Sequence, residues 1–151
     1  MKLLFRIGIV QMALAAATPA FCQVLQIQPQ TITFPSSDPD TVPVVAAAPV
    51  QVSFVRGSGR GGSGSWSITV RADGDLTAGP AQIPIASITW VAAPSPPFRD
   101  GTLSSTVAQT LASGLGSEPN TRGSVTFRLA NSWNYSAGTY TQTIVFTLTS
   151  P

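Results

Sequence analysis

TYTQTIVFTLT, Thr139 to Thr149, carries the cleanest strand signal in the chain. Tyr140, Ile144, Phe146 and Leu148 share one parity, while Thr139, Thr141, Thr143, Val145, Thr147 and Thr149 share the other. Threonine is β-branched with a polar tip, so it suits the wet face of a half-buried strand. A one-residue slip would turn the aromatic row into water, which specifies the register. The expectation is a strand with Tyr140, Ile144, Phe146 and Leu148 in the core and Thr143, Thr147 and Thr149 solvated.

Upstream the same period-2 pattern recurs in short runs between turn residues. Val125, Phe127 and Leu129 alternate, as do Trp66, Ile68 and Val70, and Val50, Val52 and Phe54. Ile83, Ile85, Ile88 and Trp90 form another run with a kink expected at Pro84, and short strands are expected at 102–106 and 107–111. In the first run Leu25 and Ile27 share a face, but Ile32 and Phe34 fall on the opposite parity after Pro29. Such a phase change suits a bulge or a switch between sheets. Residues 35–43 (PSSDPDTVP), 72–79 (ADGDLTAG) and 94–101 (PSPPFRDG) read as loops, because proline cannot donate to a central ladder.

No window holds a 3.6-residue apolar period; Val107 to Leu115 comes closest and is interrupted by Gly114. About seven or eight strands at this spacing predict an all-β protein, a two-sheet antiparallel sandwich of immunoglobulin-like type.

The first 22 residues read as an export signal. Lys2 and Arg6 supply positive charge, and Ile7 to Ala17 is apolar apart from Gln11. That run is about half the ~20 residues needed to span a bilayer, so no membrane span is expected. Cleavage after Cys22, with Ala20 at −3, leaves one domain of residues 23–151. A cut after Ala20, or a lipidated Cys22, are the alternatives.

Removing this segment takes away Lys2, Arg6 and Cys22. Six Arg then balance six acids, so the net charge is zero, and neither lysine nor cysteine is left. A neutral chain offers no electrostatic footprint for nucleic acid. Charged residues make up only 9% of the chain, against roughly 25% in ordinary domains, and Ser and Thr fill the gap.

Catalysis is limited by what is missing. The chain has no histidine, which removes imidazole acid–base chemistry, His-based triads and His metal ligands. Without cysteine there is no thiolate nucleophile or zinc site. A carboxylate pair would have to come from Asp38, Asp40, Asp73, Asp75, Asp100 and Glu118, and each sits beside Pro or Gly in a turn. No enzyme, no cofactor and no metal site are expected. Asp38-Pro39-Asp40 and Asp73-Gly74-Asp75 read as turns rather than as calcium loops, since neither continues into an EF-hand pattern. Gly57, Gly59 and Gly62 match G-x-G-x-x-G, but a strand follows them where a dinucleotide site needs a helix.

Trp66 and Trp90 are in phase with Ile68 and Ile88 and read as core. Trp133 and Tyr135, in the loop Asn131-Ser132-Trp133-Asn134-Tyr135, are the candidates for an exposed contact. The competing reading makes Trp133 a cap over the end of the sandwich.

The segment Ala137-Gly138-Thr139-Tyr140-Thr141, followed by Ile144 to Thr149, resembles the terminal strand of two bacterial extracellular groups. One is the WxL-type surface domains, with Trp66-Ser67-Ile68 similar to their Trp-x-Leu element. The other is the spore coat protein U-like and chaperone–usher pilins, whose last strand alternates after a glycine, here Gly138. This chain has Ser150 where the pilins have an aromatic residue. Gly138-Thr139-Tyr140 is also similar to the tyrosine corner of immunoglobulin-like folds. The resemblances imply a secreted protein of the periplasm or bacterial cell surface. The expected function is a non-catalytic structural or adhesive module that contacts protein, either its own copies or other surface subunits, or a glycan. The alternative is a polymerising fimbrial subunit assembled by strand donation.

Overall fold

Val125, Phe127 and Leu129 point inward and Thr126 and Arg128 outward, which makes Thr121–Ala130 (β12) the spine of the larger sheet. The computed structural model describes residues 3–4, 23–56, 64–116 and 120–150. The expected signal segment 1–22 lies outside these, apart from Leu3–Leu4 (β1), a two-residue strand paired with Thr33–Phe34 (β3). Residues 57–63, which hold the G-x-G-x-x-G match, and Glu118 also lie outside.

β12 pairs on one side with Ile88–Ala93 (β9). On the other it pairs with both Val44–Ala46 (β4) and Val50–Arg56 (β5), which follow one another along its length. Gln23–Gln28 (β2) extends the sheet beyond β5, and Gly101–Thr102 (β10) extends it beyond β9. The smaller sheet runs in the order Gln109–Leu115 (β11), Ser65–Ala72 (β6), Ile144–Thr149 (β13). A hairpin of Leu76–Ala78 (β7) and Ala81–Ile83 (β8) turns at Gly79, whose φ of 60° suits a residue without a Cβ. All pairings are antiparallel.

The sheets meet through interdigitated apolar rows. Val50, Val52 and Phe54 of β5 face Trp66, Ile68 and Val70 of β6, and the Phe54 and Trp66 rings lie 5.2 Å apart. Trp90 and Phe127 pair across the larger sheet with centroids 6.3 Å apart. Among the described residues no polar or charged residue is fully buried. This is an all-β antiparallel sandwich. The order β9-β12-β5-β2 opposite β6-β13 matches the ABED and CF strands of the immunoglobulin plan.

Among the described residues seven strands have six or more residues, and the remaining elements are short pieces that sequence periodicity hides. β4 contributes one buried residue, Val45, so it has no visible alternation. The run expected from Ile83 to Trp90 is broken at Pro84 by a 3-10 turn, Ile85–Ser87, which separates β8 from β9. The loop expected at 72–79 contains β7. The two short strands expected at 102–106 and 107–111 become β10, of two residues, and β11, which runs on to Leu115.

The C-terminal strand keeps its register but not its depth. Ile144 is buried, whereas Phe146 and Leu148 are only half-buried against the core, and Thr143 is half-buried as well. Thr147 and Thr149 are exposed. The cause is position, because among the described residues β13 ends its sheet and has a neighbour on one side only. Tyr140 is fully buried but precedes the strand. Its hydroxyl donates to the Ser136 carbonyl at 2.9 Å, four residues upstream, which is the hydrogen bond of a tyrosine corner.

Candidate surface site

Two loops far apart in sequence meet at one end of the sandwich. Residues 35–43 lead from β3 into β4, and residues 131–139 lead from β12 towards β13. Both are tied to the same point because β4 pairs with the end of β12, bringing Val44 opposite Ala130.

Asn131 braces the junction. Its amide nitrogen donates to the Ser37 carbonyl at 3.1 Å and hydroxyl at 3.2 Å, and to the Val42 carbonyl at 3.2 Å. Its backbone N–H donates to the Pro43 carbonyl at 2.8 Å. Within the first loop Asp38 Oδ1 accepts from the Asp40 N–H at 2.9 Å, and the Asp38 carbonyl accepts from Val42 at 2.8 Å. Asp38 is a turn former, as its place before proline implied.

Trp133 and Tyr135 occupy the second loop, two residues apart. Trp133 is 67% exposed, and its indole Nε1 donates to Asp40 Oδ1 at 3.0 Å. Tyr135 is half-buried, packs on the core, and donates its hydroxyl to Ser87 Oγ at 3.1 Å. Together with Pro35, Ser37, Pro39 and Ser132 they line a groove of about 150 Å³, floored by Phe34, Val45 and Leu129. The expected contact residues Trp133 and Tyr135 are thus brought together. The partner loop carrying Asp40 has no signal in the sequence linking it to them, because a separation of 93 residues is bridged only by tertiary pairing.

Two of the other aspartates serve the backbone. Asp75 Oδ1 accepts from Ile85 N–H at 2.8 Å, and Asp100 Oδ1 accepts from Ala92 N–H at 2.8 Å. Asp73 lies 4.0 Å from Arg71 with both side chains about half exposed, a pair worth little in water. Among the described residues no three His, Cys, Asp or Glu side chains gather where a metal could sit. No helix among them is long and apolar enough to cross a membrane. The chain matches no protein-family model, and no curated protein or solved structure is significantly similar to it.

Proposed function

We propose that this protein is an exported, non-catalytic structural or adhesive module of the bacterial surface or periplasm. The observation that carries the reading is that β2, the first strand after the expected cleavage point, pairs with β5 over its whole length and buries Ile27. A sandwich that uses its own N-terminal strand has that edge already filled. The turn roles of the aspartates and the lack of histidine support a role without chemistry.

Deleting residues 23–28 from the exported domain tests this. Loss of the Ile27 and Leu25 burial should lower stability by roughly 2–4 kcal/mol in urea melts. Unchanged melting together with lost assembly would mean that the segment serves another subunit.

A second reading, a fimbrial subunit assembled by strand donation, is favoured by the other flank. The tyrosine corner identifies β13 as the F strand, and the immunoglobulin plan sets a G strand beside it. Among the described residues no strand takes that place, and Phe146 and Leu148 are left half-covered. An added strand would complete the sheet with main-chain hydrogen bonds and cover both side chains. Electron microscopy of the exported protein at high concentration decides: fibres support this reading, and a monomer at all concentrations supports the first.

A further inference from the structure

We infer that the groove between the 35–43 and 131–139 loops is a carbohydrate-binding subsite that stacks one ring of a neutral oligosaccharide on Trp133; this rests on the adhesive form of the proposed function. Three observations lead there. Trp133 is two-thirds exposed in a chain whose other tryptophans are 1% exposed, so its ring is presented to solvent. The Nε1–Asp40 hydrogen bond holds the ring by its edge and uses neither ring face. A pyranose presents a face of slightly positive C–H groups, which meets the negative face of a π system.

Size and charge narrow the ligand. About 150 Å³ is well below the ~300–1,000 Å³ of sites that bury a drug-sized molecule, so the groove takes one ring while the rest of a chain stays outside. No basic residue lines it, and Asp38 and Asp40 lie in the loop that forms one wall. Neither carboxylate lines the groove itself, but negative charge in that loop repels anionic groups, which favours neutral glycans over sialylated or uronic ones.

The polar edges argue against a proline-rich peptide. Aromatic-lined grooves for such peptides are read by stacking and by donors to the peptide carbonyls. Here the donors are already engaged, Trp133 with Asp40 and Tyr135 with Ser87. Stacking on a sugar uses the face and needs neither donor.

The test is binding of the exported domain to cellohexaose, mannohexaose, chitohexaose, an acidic hexagalacturonate and a decaproline peptide. Indole fluorescence and calorimetry supply the readouts. At least one neutral hexamer should bind, Trp133→Ala should weaken it tenfold or more, and Trp133→Phe should retain part of the affinity. Asp40→Ala should weaken it without lowering the melting temperature. The inference is overturned if no neutral hexamer binds at millimolar concentration. It is equally overturned if Trp133→Ala binds as the parent does, or if only decaproline or hexagalacturonate binds. Fibre formation, read separately by microscopy, tests the structural role and does not depend on any of these results.

Discussion

The two flanks of the sandwich are built differently. On the flank of β10 and β11 the segment 94–101 runs between the sheets and is bonded to both. Trp90 Nε1 donates to the Arg99 carbonyl at 2.8 Å, and Ala92 N–H donates to Asp100. On the other side Arg99 N–H donates to Leu111 at 2.8 Å, Ser113 N–H donates to Pro97 at 3.4 Å, and Phe98 bridges to Ala112. Phe98 is fully buried and lies over Gly123, where a Cβ would come within 2.3 Å of its ring. On the flank of β2 and β13, among the described residues, no such segment intervenes, and Leu25, Phe146 and Leu148 stay half-buried. The backbone of residues 97–99 occupies the edge of β11, while among the described residues nothing pairs with the outer edge of threonine-rich β13. The two flanks therefore treat the exposed-edge problem differently.

The closed flank depends most on its aromatic plug. Phe98→Ala removes a fully buried aromatic ring and should cost about 3–5 kcal/mol in urea unfolding. It should also loosen the hold of 94–101 on β11, seen as faster hydrogen exchange at Arg99 and Ser113. Loss of stability without faster exchange there would show that the segment is held by its hydrogen bonds alone.

Gly123→Ala approaches the same contact from below. The added methyl must displace the Phe98 ring, so a loss of about 1–3 kcal/mol is expected in the same melts. A neutral result would mean that the ring has room to shift.

On the open flank Phe146→Ala should cost less, about 1–2 kcal/mol, because the ring is half-buried. Repeating the melt on an assembled form sharpens the contrast. If a strand covers β13 in that form, the loss should rise towards the ~3–5 kcal/mol of a buried ring.

Thr147→Lys should have the smallest effect on stability, within about 0.5 kcal/mol, since Thr147 is exposed. A lysine on an edge strand opposes pairing, so association in sedimentation velocity should fall if β13 is the contact. Unchanged association would place the contact elsewhere.

Much of this architecture was legible beforehand. Strands β5, β6 and β12 each show the alternation that their burial repeats, β13 does so only in part, and the tyrosine corner was marked by Gly138-Thr139-Tyr140. The short elements were not legible, because two or three residues carry no period. Val44–Ala46 has one inward residue, and the β7 hairpin lies in a stretch whose Gly and Asp content reads as turn. Of the candidate site, Trp133 and Tyr135 stood out as aromatics among loop residues, whereas Asp40 did not.

What the sequence by itself determined is chemical and local. Side-chain parity decided which residues turn inward, because a strand alternates faces every residue. The lack of histidine, and of cysteine beyond residue 22, decided which reactions lie outside reach. Which edges are covered and which loops meet follows from the three-dimensional pairing alone. Burial depth depends on neighbours in space, so Phe146 and Phe127 look alike in their alternation, yet one is half-buried at an edge and the other lies in the middle of a sheet. The Trp133–Asp40 pairing has the same origin, since long-range strand register, unlike local pattern, brings residues 93 positions apart within 3.0 Å.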